Sequence, residues 1–227
     1  MIELRNLKKR FVLNGSVKVV AHNINVVFPT GEAVGLLGRN GAGKSSLLGM
    51  ISGRIAPDSG EILSSGTISW PVGFAGSFHN EMTGAQNTKF VARIYGADTD
   101  AMVDFVRDFA ALGQHFHLPV RTYSSGMRSR LAFGISMALP FDTYLIDEVT
   151  ATGDAAFTAK SSAILKDRLK VASAIIVSHS MHLLESMCTS GAVLDNGRLF
   201  FYARIQKAIE HHEYLMRGAM PPWMIPS

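Results

Sequence analysis

Eight consecutive residues, Gly38-Arg39-Asn40-Gly41-Ala42-Gly43-Lys44-Ser45, have the spacing G-x-x-x-x-G-K-[ST]. The glycines let the backbone curl until successive N–H groups face one point. A helix that begins just after them adds partial positive charge there. Such a loop suits a chain of phosphates. Lys44 would reach the β- and γ-phosphates of a nucleotide, and the Ser45 hydroxyl would ligate Mg2+.

Three further groups gain meaning from that loop. The run Thr143-Tyr144-Leu145-Ile146-Asp147-Glu148 is apolar and ends in two carboxylates. Asp147 suits the shell of a Mg2+ ion, and Glu148 suits the polarising of water for attack on a γ-phosphate. Phosphoryl transfer asks for little beyond positioning and charge stabilisation of this kind. Without the loop, an Asp-Glu pair after a strand reads as a solvated strand end. Ser124-Ser125-Gly126-Met127-Arg128 opens a predicted helix, where two hydroxyls and a glycine make either a second anion site or a plain N-cap. His179 follows the apolar run Ala174-Ile175-Ile176-Val177-Ser178, where a γ-phosphate sensor would stand; elsewhere a lone histidine at a strand end is structural.

Positioning these groups requires alternating strands and helices. Residues 2–11 and 17–27 read as strands divided by the turn Asn14-Gly15, and residues 33–37 as a buried strand running into Gly38. A helix is expected over 43–52. Short strands over 60–63 and 67–70 are expected to form an antiparallel patch. Residues 83–95, 98–112 and 125–139 read as helices. In the second, Met102, Phe105, Val106, Phe109 and Leu112 share a face, with Asp98 as N-cap and Gly113 as stop. Strands over 143–146 and 174–177 enclose a helix over 155–171, the mark of a parallel sheet. Strands over 192–194 and 199–202 flank Asn196-Gly197, and residues 203–216 read as helix. His211 and His212 are expected on its exposed side, and the tail over 218–227 is expected to be flexible.

Composition narrows the classes. The 227 residues fit one domain, and 47% hydrophobic content suits a folded chain with a sizeable core. Its net charge of +4 is spread without a basic run, so no nucleic-acid partner is expected. The single cysteine, Cys188, excludes an internal disulfide. No stretch approaches the ~20 apolar residues of a membrane span, and the first residues lack the apolar block of a signal peptide. His115 and His117 lack neighbours of metal-ligand type, and the eleven methionines read as core filler.

The order of these motifs resembles the nucleotide-binding domain of ABC transporters over nearly the whole chain. The resemblance implies an α/β fold: a RecA-like P-loop ATPase core, an antiparallel β subdomain and a helical insert over about 80–139, within a single domain spanning 1–227. It places Gly38, Arg39, Asn40, Gly41, Ala42, Gly43, Lys44, Ser45 and Ser46 around ATP as Walker A, with Ser45 and Asp147 on Mg2+. Lys44, Glu148 and His179 become the catalytic set. Ser124, Ser125 and Gly126 belong to the signature that meets the nucleotide of a second, head-to-tail copy, and Asp154 to the D-loop over 151–154. Phe11 stands where the family stacks an aromatic ring on adenine; the alternative for it is core.

Ile68-Ser69-Trp70-Pro71, Gly76-Ser77-Phe78, Thr83-Gly84, Tyr123-Ser124-Ser125-Gly126-Met127 and Leu145-Ile146-Asp147-Glu148-Val149 are similar to motifs of the capsular polysaccharide exporters of Gram-negative bacteria. That resemblance implies an ATP-hydrolysing subunit on the cytoplasmic face of the inner membrane, working with a separate permease. The alternatives are an exporter of another cargo, such as O-antigen or teichoic acid, and a nucleotide-binding module without turnover. Related O-antigen exporters often carry a C-terminal sugar-binding domain, for which this chain is expected to be too short. One departure stands out: residues 69–80 hold no glutamine, where the family places one against Mg2+, and Phe74 takes its approximate position. Gln86 is not expected to replace it. The segment 70–83, rich in glycine and aromatics, is the expected contact with the permease, or else packs the insert.

Overall fold

A computed structural model describes all residues except 14, 75, 77, 148–154, 220 and 225–227. The chain divides into two compact units, one of residues 1–71, 141–148 and 169–227, the other of 72–140 and 149–168.

The first unit holds two sheets. Strands β1 (Ile2–Leu13), β2 (Ser16–Phe28) and β4 (Ser59–Ser64) form an antiparallel sheet with β1 in the centre. The second sheet has six strands, in the order β5 (Ile68–Pro71), β6 (Thr143–Asp147), β7 (Ser173–Val177), β3 (Ala33–Leu37), β8 (Ser190–Asp195) and β9 (Arg198–Tyr202). Its pairs are parallel except for β8 with β9. Strands β3, β6 and β7 are short apolar runs, as a sheet covered on both faces demands. Helix α1 (Lys44–Ile51) follows β3 and buries Leu47, Leu48, Met50 and Ile51 in the core with Leu36, Leu145 and Ile175. Helices α6 (Met181–Met187) and α7 (Ile205–Met216) complete the unit.

Two expectations change here. The strand expected over 67–70 joins the parallel sheet as β5, not the antiparallel patch. Polar clips fix it there. Thr67 N and Oγ1 each donate to Asp142 Oδ2 at 2.7 Å, and Leu145 N donates to the buried Ser69 Oγ at 2.9 Å. His211 is not exposed. It is 1% accessible and shares a 2.9 Å hydrogen bond with Tyr202 Oη, while His212 beside it is partly buried. The tail turns back as a short 3-10 helix, Pro222–Met224, with the Trp223 ring 5.9 Å from Tyr214 and 4.7 Å from the Lys207 ammonium.

The second unit is helical: α2 (Gly84–Ile94), α3 (Thr99–Ala110), α4 (Ser125–Ala138) and α5 (Ala155–Arg168). Thr83 and Gln86 close a capping box on α2, and Asp98 caps α3 through the amides of Asp100 and Ala101. Helix α3 stops at Ala111, which takes the left-handed conformation at φ 50, two residues before Gly113. Met102, Val106, Phe109 and Leu112 are buried as their shared face requires, with Phe105 half-buried. Helix α5 clusters with this unit, so the helical part is larger than the insert expected over 80–139. The Phe157 ring lies 5.4 Å from Phe109, and Lys160 Nζ donates to Asp108 O at 2.8 Å, capping the end of α3. Arg168 Nη2 donates to Met137 O at 2.8 Å. Among the described residues no helix is long and apolar enough to cross a membrane.

Candidate functional site

Strand β3 delivers the glycine-rich loop to the carboxyl end of the six-stranded sheet. Backbone conformation explains two of its glycines. Gly38 has φ 150, and a Cβ there would lie 2.4 Å from Leu194 O. Gly43 has φ 107, and its Cβ would meet Val20 Cγ1 at 2.5 Å. Gly43 is also the N-cap of α1 and carries no side-chain cap, so the first amides of α1 stay available to an anion. Lys44 folds over the loop, its Nζ donating to Gly38 O at 2.8 Å and Arg39 O at 3.2 Å.

The neighbouring strands bring the remaining groups. Asp147 ends β6 in register with Val177 of β7, and β7 lies directly beside β3. His179 comes two residues after β7. A cavity of about 380 Å³ is lined by Lys18, Asn40, Gly41, Gly43, Lys44, Ser45, Ser46, Asp147, Val177 and His179. The sheet thus gathers on one site the lysine, serine, aspartate and histidine that are scattered over some 135 residues of sequence. Two ammonium groups, a helix N-terminus and exposed glycine amides suit a polyphosphate. The Ser45 hydroxyl and Asp147 carboxylate are hard oxygen donors, the set that Mg2+ takes when phosphates complete its shell.

An adjoining cavity of about 480 Å³ is lined by Val17, Lys18, Val19, Arg39, Asn40, Gly41, Ala42, Asp195 and Asn196. Sequence reasoning missed Lys18, Asp195 and Asn196, because neither a lysine among alternating valines nor an Asp-Asn turn carries a motif. Phe11 lines neither cavity. It packs half-buried on the core opposite Lys18, with the Lys9 ammonium 5.3 Å from its ring centroid.

Glu148 and the segment 151–154, with Asp154, fall outside the described residues. Ser124, Ser125 and Gly126 belong to the helical unit. Ser124 Oγ accepts from Met127 N at 3.3 Å and so acts as the N-cap of α4, while Ser125 is exposed at the first turn. Gln86 is occupied by its capping box: its Oε1 accepts from Thr83 N at 2.8 Å. Trp70 packs edge-on against Phe141 at 5.5 Å, which assigns that end of the 70–83 segment to packing.

The chain is similar to known proteins in both sequence and fold. A family model described as ABC transporter matches residues 21–151. The polysialic acid transport ATP-binding protein KpsT of Escherichia coli is 45% identical over 216 residues, covering 94% of this chain and 96% of that protein. The capsule polysaccharide export ATP-binding protein CtrD of Neisseria meningitidis serogroup B is 42% identical, covering 95% and 100%. Among solved structures, a dimeric ATP-binding cassette in a post-hydrolysis state, bound to ADP and Pi, superposes with a TM-score of 0.74 at 20% identity, over 88% of this chain and 96% of that one.

Proposed function

Because the chain belongs to the ABC transporter family, we propose that it is the ATP-hydrolysing subunit that powers export of a capsular polysaccharide through a separate membrane permease. The observation that carries the reading is the single cavity lined by Lys44, Ser45, Asp147 and His179 at the N-terminus of α1. Its likeness in sequence to capsule-export ATP-binding proteins supports the cargo.

In this reading the amides of the loop and of α1 cradle the β-phosphate. Lys44 exchanges its bonds to Gly38 O and Arg39 O for phosphate oxygens. Ser45 and Asp147 would hold Mg2+, which would supply positive charge to offset that of the phosphates. Glu148 orients the attacking water, and His179 contacts the γ-phosphate. The reaction asks these groups to hold atoms in line and neutralise developing charge. Ser125 at the start of α4 serves the nucleotide of a second copy in a head-to-tail dimer. An isologous pair of this kind has two equivalent sites. The chain works at the cytoplasmic face of the inner membrane, held there by its permease.

Phosphate release by the purified chain with Mg-ATP tests the enzymatic half. No release above that of Lys44→Ala sinks it. Expression in a capsulated Gram-negative strain deleted for its own export ATPase tests the cargo. Surface capsule should return. Turnover without any return of capsule, but with O-antigen export in a matching strain, would overturn the capsule assignment alone.

A further inference from the structure

Lys18 lines both of the cavities that meet at the glycine-rich loop. It comes from β2 of the antiparallel sheet, whereas the loop comes from β3 of the other sheet. Two residues along β2, Val20 packs on the loop at Gly43, where a Cβ would lie 2.5 Å from Val20 Cγ1. A strand rises about 3.4 Å per residue, so Lys18 starts about 7 Å further along the strand. Its ammonium reaches Gly41: a Cβ there would lie 3.6 Å from Lys18 Nζ. A clip to the turn between β8 and β9 holds the strand in place, His22 N donating to Gly197 O at 2.7 Å. The fit at that turn is close, since a Cβ on Gly197 would meet Val19 Cγ1 at 3.2 Å.

Among the described residues Lys18 makes no hydrogen bond or ion pair. Asp195 shares the second cavity with it but accepts from Asn196 Nδ2 at 3.1 Å. Strand β2 lies at the edge of its sheet, and edge strands carry lysines that deter pairing with other chains. Such a lysine extends into open solvent, whereas Lys18 reaches a glycine of the phosphate loop. With Lys44 it brings two ammonium groups to one cavity, and like charges that converge repel unless an anion lies between them. A polyphosphate carries enough negative charge to meet both.

On the phosphate-loop reading above, on which it depends, we propose that Lys18 is a second phosphate-binding cation: its ammonium meets the nucleotide's phosphates from the antiparallel sheet while Lys44 meets them from α1. Gly41 belongs to the stretch whose amides cradle the β-phosphate in that reading. ATP and ADP share this phosphate, so substrate and product make the contact alike. An interaction equally strong in the ground state and the transition state sets KM and leaves kcat alone.

The test compares Lys18→Gln, which removes the charge, with Lys18→Arg, which keeps it. Lys89→Gln, which removes one exposed charge from the helical unit, is the control. The readouts are melting temperature, Kd for a fluorescent ADP analogue at low and high salt, and kcat and KM from phosphate release. Lys18→Gln should melt like the wild type, raise Kd and KM roughly three- to five-fold, keep kcat, and show a flatter salt dependence. Lys18→Arg should retain most of the affinity and Lys89→Gln all of it. In the wild-type protein, saturating Mg-ADP should shield Lys18 from acetic anhydride, read by mass spectrometry. Lys18→Gln with wild-type Kd and KM overturns the proposal, as does an equal loss in Lys89→Gln. If Lys18→Gln fails to fold, labelling of Lys18 that is unchanged by Mg-ADP overturns it instead. Wild-type protein that binds no ADP analogue is a different failure, that of the phosphate-loop reading itself.

Discussion

Lys44 Nζ donates to Gly38 O, 2.8 Å away and six residues earlier in the same loop. The ammonium thus holds the loop in the curl that a phosphate chain would occupy, and the same protons would serve the β/γ-oxygens. Lys44→Ala should weaken ATP binding at least tenfold and reduce phosphate release to background. Fluorescent-nucleotide titration and a phosphate assay check both halves. Normal turnover in this variant would end the phosphate-loop assignment.

Gly43 meets two constraints together, a φ of 107 and the close approach of Val20. Gly43→Ala should cost about 1–3 kcal/mol from backbone strain, with a further loss from the clash. Val20→Ala in the same chain should relieve the clash but not the strain. Urea unfolding of the two single variants and the double separates these contributions. Full rescue by Val20→Ala would show that conformation contributes nothing.

Glu148→Gln keeps the side-chain shape and removes the carboxylate assigned to the attacking water. ATP should bind without being cleaved, and light scattering with Mg-ATP should show more dimer than the wild type. A monomer that hydrolyses ATP at the wild-type rate refutes that role.

Asp142 accepts from Thr67 N and from Thr67 Oγ1. These bonds, the hydroxyl's first, favour the charged carboxylate and lower its pKa below the ordinary aspartate value. A depressed folded pKa gives stability that is present above about pH 4 and lost as pH falls below it. Asp142→Asn should therefore lower the melting temperature at pH 7 and flatten its decline between pH 5 and pH 3. Parallel melting curves for the two proteins across that range would exclude this carboxylate as a contributor.

Where local chemistry decides, the sequence was legible. The phosphate loop, the Asp98 cap and the buried strand over 33–37 each announce themselves within a few residues. The sheet to which β5 belongs did not, because a four-residue strand says nothing about its neighbour. That choice is made by Asp142 and Leu145, more than seventy residues away. His211 and His212 were misread as exposed for a related reason. The rotation of α7 depends on glycines in two strands and on Tyr202, none of which alters the helical pattern of α7 itself. Helix α5 reads as helix but not as a partner of α3 and α4, since Phe157, Lys160 and Arg168 make their contacts 31 to 52 residues back along the chain.

The strand order of the six-stranded sheet also governs how the protein can be made. Ala33 of β3 pairs with Ala174, and Val34 with Ser190. During synthesis the apolar strand Ala33–Leu37 leaves the ribosome well over a hundred residues before either neighbour exists. The β1, β2 and β4 sheet can close early, from segments within the first 64 residues. The strand that feeds the phosphate loop must wait. Pairings this distant make folding slow and leave an unpaired apolar edge open to aggregation in the meantime. Chains cut short before β7 should be insoluble or held by chaperones, whatever the integrity of the loop they already contain.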